Sequence, residues 1–150
     1  VVAEIGAYEG NLSEFFALHC KEVHCIDPWD ASAYVSNEYK LPHSEFKQCL
    51  TKRKEMFYEK LKKYPNIKII EDYSYNVYAQ FPDHNFDCVY IDGNHSYEVV
   101  KSDIIQWKPK VKIGGILSGH DYDSQVQKAV EELLGKVETF EDSSWVKLIE

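Results

Sequence analysis

The sequence predicts an α/β protein: a doubly wound sheet of seven strands, mostly parallel, closing with an antiparallel hairpin at its C-terminal end. Three observations carry this. Short apolar runs alternate with stretches whose apolar residues recur at helical spacing, the pattern of a parallel sheet with right-handed crossovers. Several of those runs end in an acid or a glycine, as strands facing a ligand do. The last two runs are separated only by Asp142-Ser143-Ser144, too short for a crossover, so that pair is antiparallel.

Taken in order, Val1, Val2, Ala3 and Ile5 form a buried strand, and Gly6 and Gly10 bracket the turn after it. Asn11 or Ser13 can cap the helix that follows. Glycine removes the Cβ that would hold a ligand off the backbone, and a helix start supplies free N–H groups. The next apolar run, Val23 to Ile26, ends in Asp27. A carboxylate about 20 residues past the first glycine is placed to accept the hydroxyls of a ribose. The polar segment from Trp29 to Phe46 is long for a connection, and Trp29, Tyr34 and Tyr39 either cover a ligand or pin the loop.

From Ser44 to Tyr64, Phe46, Leu50, Phe57, Leu61 and Tyr64 recur at helical spacing. Ile67 to Ile70 is a strand ending near Glu71 and Asp72, and a short helix follows from Ser74 to Phe81. Phe86 to Ile91 is a fourth strand, ending in Asp92-Gly93-Asn94-His95. Ser96 can cap a helix whose Val100, Ile104, Trp107 and Val111 share one face. Gly114 and Gly115 introduce a fifth strand, Ile116 to Ser118, ending in Gly119-His120-Asp121. A helix from about Ser124 to Leu134 stops at Gly135, and strands Val137 to Glu141 and Trp145 to Ile149 complete the sheet. Ligands should gather beyond the carboxyl ends, where Gly6, Asp27, Asp72, Asp92, His95, His120 and Asp121 fall.

With 150 residues the chain reads as one domain, residues 1–150. It opens in mid-strand without a methionine, which reads as a fragment lacking an N-terminal helix. A formal charge of −8 disfavours a nucleic-acid partner, which needs a basic stripe. Lys52, Arg53, Lys54, Lys60, Lys62 and Lys63 form a local basic patch, read as the solvated face of a helix. Cys20, Cys25, Cys49 and Cys88 make no C-x-x-C pair and look like reduced thiols of a cytoplasmic protein. No apolar run is long enough to span a membrane. Nothing fixes the oligomeric state, which leaves room for a homo-oligomer.

The glycine spacing narrows the ligand. In G-x-G-x-x-G the second glycine would stand at Tyr8, so a pyrophosphate could not approach the backbone there. Glu4 and Glu9 would repel a phosphate but are tolerable beside a cation. E-x-G-x-x-x-G followed by an acid ending the second strand resembles the class I S-adenosylmethionine-dependent methyltransferases. The segment FDCVYIDGNHSYEVVKSDIIQWKPKVKIGGILSGHDY is similar to a small bacterial methyltransferase-domain family with Y-I-D-x-x-H-x-Y-E and G-G-I-x-x-G-H-D-Y motifs. Asp27-Pro28-Trp29 and Ser74 fit it too, and the likeness covers nearly all of the chain.

That resemblance implies a Rossmann-like fold and S-adenosylmethionine as cofactor. It assigns the turn Glu4, Gly6, Ala7, Tyr8 and Gly10 to the cofactor, with Asp27, Pro28 and Trp29 around the ribose and Asp72 or Ser74 near adenine. Catechol O-methyltransferase and the macrolide-sugar O-methyltransferases hold a Mg²⁺ at positions matching Asp92, His120 and Asp121. His120 departs from their carboxylate, which leaves open Mg²⁺, a softer metal or none; His120 could equally bond a loop carbonyl or Asp92. His95 stands where those enzymes place a base, and with Asp92 it is the catalytic candidate; the alternative is a histidine bonding locally at a helix start. The implied partner is a small hydroxylated methyl acceptor such as a sugar or glycoconjugate precursor. The alternative is a non-catalytic binding or scaffold domain that keeps the fold.

Overall fold

A computed structural model describes residues 1–33 and 42–150; Tyr34 and Tyr39 lie outside the described residues. The elements are β1 (Val2–Ile5), α1 (Asn11–His19), β2 (Val23–Ile26), α2 (His43–Leu61), β3 (Ile67–Ile70) and α3 (Ser74–Val77). They continue as β4 (Phe86–Ile91), α4 (Tyr97–Trp107), β5 (Val111–Gly119), α5 (Ser124–Leu134), β6 (Glu138–Thr139) and β7 (Trp145–Leu148). The seven strands form one sheet in the order β3-β2-β1-β4-β5-β7-β6. β1 to β5 pair in parallel, and β7 is antiparallel to both β5 and β6.

Strand alternation divides the core in two. Ala3, Ile5, Ile26, Val89 and Leu117 pack with Val77 of α3, with Val100, Ile104 and Trp107 of α4, and with Val126, Ala129 and Val130 of α5. Val23 and Cys25 face the other way, toward Phe46, Leu50, Phe57 and Leu61 of α2. Burying a large apolar side chain such as Phe57 or Ile104 contributes roughly 1.5–3 kcal/mol. Ile116 and Leu148, opposite each other on β5 and β7, are exposed, as are Phe15 and Leu18 of α1.

Several boundaries differ from the sequence expectation. β5 begins at Val111, not after the glycines, so Val111 belongs to the strand and not to the inward face of α4. A 3-10 turn at Lys108–Lys110 ends the helix first, because Pro109 cannot extend it. The β4–β5 register shifts between Phe86 and Cys88, which absorbs the glycine pair inside the strand. The helix after β3 is one α turn continued as a 3-10 turn, Tyr78–Gln80. β6 is two residues, shorter than expected, because the turn closed by Phe140 and Ser144 begins directly after Thr139.

The basic patch is only partly a solvated face. Arg53 and Lys54 of α2, and Lys63 just past its end, pair with Glu9, Glu71 and Glu14, which ties this segment to the opening turn, to the end of β3 and to α1. All four cysteines are free, and Cys25 is buried. No helix among the described residues is long and apolar enough to cross a membrane.

Candidate active site

The helices after β1 and β4 leave on opposite faces of the sheet, so a crevice opens between these neighbouring strands at their carboxyl ends. A cavity of about 490 Å³ fills it. Gly6 and Tyr8 line it from the opening turn, Asp27 and Pro28 from the end of β2, and Ser74 from α3. Asp92 and His95 line it from the end of β4, and Asp103 from α4.

Gly6 has φ +90, and a Cβ there would lie 2.1 Å from the carbonyl oxygen of Asp92. The close approach that requires glycine is thus between the ends of β1 and β4. At Gly10, φ +80, a Cβ would press on the side chains of Phe57 and Leu61. Gly10 itself, not Asn11 or Ser13, stands at the N-cap of α1, and no side chain caps that helix. The Ser13 hydroxyl instead donates to Glu4, which is buried beneath the turn. Burial pushes the Glu4 carboxyl up to about 8, with the Ser13 bond opposing.

The turn is braced from three sides. The Tyr8 N–H donates to Asp27 Oδ2 at 2.8 Å, and the Trp29 N–H donates to Asp27 Oδ1 at 2.7 Å. The Trp29 indole N–H donates to the Tyr8 carbonyl at 2.7 Å. The Arg53 guanidinium lies 5.0 Å from the centre of the Tyr8 ring while pairing with Glu9. Tyr8 and Trp29 both have positive φ, +48 and +42, a conformation unfavourable for non-glycine residues unless neighbours fix it. Burial raises the Asp27 carboxyl, and the two backbone N–H groups oppose that.

These contacts redistribute the expected roles. Gly6, Tyr8, Asp27, Pro28, Ser74, Asp92 and His95 do share one cavity. Glu4, Ala7, Gly10 and Trp29 do not line it; they are buried behind the turn, with Trp29 packed against Phe57 at 4.8 Å. Asp72 is also absent from its wall, and accepts from the Tyr73 N–H and the Asn76 amide.

At the cavity mouth, His95 Nε2 lies 3.1 Å from Asp121 Oδ2 and 3.7 Å from Asp92 Oδ1. Among the described residues, Asp92, His95 and Asp121 bring ligand atoms within 4.8 Å of one another. His120 is not among them, contrary to the expected set of Asp92, His120 and Asp121; its Nδ1 stands 3.4 Å from Asp121 Oδ1. Asp121 has φ +52, and its carboxylate stands 3.1 Å from His95 Nε2.

Sequence reading overlooked Asp103, Tyr73 and Tyr75, which also line the cavity. Asp103 had a visible signal. It stands among Val100, Ile104 and Trp107, a charge on the inward stripe of α4.

A methyltransferase-domain family model matches residues 3–122, from β1 past the end of β5. The chain belongs to that family. Solved structures extend the match to the whole fold. The O-methyltransferase NovP superposes on this methyltransferase domain with a TM-score of 0.72 at 15% identity, covering 99% of this chain and 71% of its own. An rRNA methylase from Streptococcus thermophilus gives 0.67 at 13%, covering 99% and 86%. SMU.1697c from Streptococcus mutans, solved in complex with SAH, gives 0.65 at 13%, covering 97% and 84%. No curated protein sequence matches the chain significantly.

Proposed function

We propose that this domain is an S-adenosylmethionine-dependent O-methyltransferase acting on a small hydroxylated molecule such as a sugar or glycoconjugate precursor. The observation that carries the reading is one cavity walled by Gly6, Asp27 and Asp92, with His95 at its mouth. Its residues fit a cationic nucleoside. Acidic groups at Asp27 and Asp92 suit a positive charge and hydroxyl donors, and among the described residues no Lys or Arg lines its wall, where a phosphate would want one. SMU.1697c, solved in complex with SAH, and the O-methyltransferase NovP share this fold and support the same reading.

When bound, the cofactor supplies an electrophilic methyl group on a sulfonium centre. The protein's part is to hold the acceptor in line and take its proton. Positioning of this kind removes roughly 7–11 kcal/mol of barrier in well-oriented intramolecular reactions. A hydroxyl becomes a competent nucleophile as His95 accepts its proton, and an imidazole of ordinary pKa near 6.5 suits that at neutral pH. Asp121 at 3.1 Å stabilises the imidazolium that results.

The convergence of Asp92, His95 and Asp121 favours a second reading, a divalent cation held by these three donors. His95 would then be a ligand through Nε2, and the cation's charge would make its other ring nitrogen too weakly basic to take the acceptor's proton. The two readings separate cleanly. Calorimetry with S-adenosylhomocysteine should show micromolar binding, and His95→Ala should abolish turnover while sparing that affinity. Turnover insensitive to EDTA supports His95 as base; loss on chelation with recovery on adding Mg²⁺ or Mn²⁺ supports the metal. Absence of binding below millimolar overturns the cofactor assignment and leaves the scaffold alternative.

A further inference from the structure

Asp103 is a buried carboxylate in the wall of the cavity that no role described so far uses. It is 3% exposed, and its one hydrogen-bond donor among the described residues is the Ser74 hydroxyl, 2.5 Å from Oδ1. A carboxylate has about four acceptor positions, so one donor leaves most of that capacity unmet in a poorly hydrated place. Retaining such a group costs stability unless a ligand supplies the missing donor.

Its surroundings define what that donor belongs to. Tyr73 and Tyr75, stacked at 5.0 Å, line the same cavity with Val99 and Ile26. This flank is built where α3, which follows β3, meets α4 through the Ser74–Asp103 bond. Apolar and aromatic walls with one deep acceptor suit a flat heteroaromatic ring presenting an N–H at its edge. We propose that Asp103, held by Ser74, accepts the hydrogen bond of the exocyclic amine of the cofactor's purine and so selects an adenine nucleoside. This assignment rests on the S-adenosylmethionine reading above.

The electrostatics agree. Burial pushes the Asp103 carboxyl up to about 6, with only the Ser74 bond opposing. Tyr73 and Tyr75 line the cavity from the start of α3, Asp27 from the end of β2, Asp92 and His95 from the loop after β4, and Glu98 from α4 itself. Toward α5, Lys101 of α4 pairs with Glu132. An amine donor binds the ionised form, so its contribution is present above about pH 6 and fades below it.

The test compares S-adenosylhomocysteine with its analogue carrying an unsubstituted purine, by calorimetry between pH 5 and 8. The wild-type domain should prefer the amine-bearing ligand about tenfold at pH 7.5, the size of one charge-assisted hydrogen bond, and less at pH 5. Titration of His95 or Glu4 affects both ligands alike and cancels in the ratio. Asp103→Ala should bind both ligands equally. Asp103→Asn, which keeps the shape, should show a preference that no longer changes with pH. A wild-type domain that binds both ligands equally overturns the proposal for Asp103 alone, and so does a folded Asp103→Ala that keeps the tenfold preference. A wild-type domain that binds neither overturns the cofactor reading and this inference with it.

Discussion

Two buried positions beneath the opening turn make the sharpest claims. Glu4 has its carboxyl raised to about 8 by burial. In the unfolded chain it would titrate near 4.3, so between these values the folded protein holds a proton that the unfolded chain has lost. Stability contributed by this group is therefore full at acid pH and is lost as pH rises through about 8. Glu4→Gln should be more stable than wild type at pH 9, by on the order of a few kcal/mol, with the gap closing toward pH 4. Urea unfolding across that range reads the difference, and a gap that widens toward acid would refute the assignment. Gly6→Ala should cost about 3 kcal/mol or more, since the strained φ alone is worth about 1–3 kcal/mol. Its Cβ would also meet the Asp92 carbonyl at 2.1 Å. A loss under 1 kcal/mol by the same measurement would mean that the two strand ends yield easily. The E-x-G spacing made both positions visible in the sequence, but not why they matter. Glu4 lies under the turn and Gly6 faces a neighbouring strand, and both facts depend on which strands pair.

Among the elements, α2 has the role that its sequence least announces. Its charges read as a solvated face because periodicity reports only which side is apolar. Their partners, Glu9, Glu14 and Glu71, come from three other segments, and no spacing along α2 could reveal them. Arg53 is the main link, since it holds Glu9 and covers the ring of Tyr8. Arg53→Met keeps the aliphatic stem and removes the charge. It should weaken S-adenosylhomocysteine binding about five- to tenfold, in line with a cation–π contact and a partly exposed ion pair. Arg53→Lys should not restore it, because an ammonium cannot bridge carboxylate and ring as a planar guanidinium does. Unchanged affinity in calorimetry would show that the turn stands without its brace. The strands, in contrast, were legible almost to the residue. Val23–Ile26, Ile67–Ile70 and Phe86–Ile91 are apolar runs cut off by acids or polar turns. β5 was misjudged because Gly114 and Gly115 look like a boundary, whereas a register shift takes them into the strand.

At the level of the whole molecule, the two apolar clusters are built on the two faces of one sheet, so loss of either is felt by the same strands. Phe57→Ala on one face and Trp107→Ala on the other should each cost about 3–5 kcal/mol. Both should move the same single transition, with far-UV circular dichroism and tryptophan fluorescence coinciding. Separate transitions would show that the layers unfold independently. The doubly wound plan was readable from the alternation of strands with helices along the chain. What alternation could not show is which loops meet above the strands, since Asp92, His95 and Asp121 come together only after the sheet is assembled. The sheet's margins have a consequence for how the protein behaves in a crowd. One border is β6, two residues long and bearing Glu138; the other is β3, four residues long, whose Lys68 is paired with Glu22. Short, charged borders offer a foreign backbone little to zip onto, so intermolecular strand addition has few footholds here.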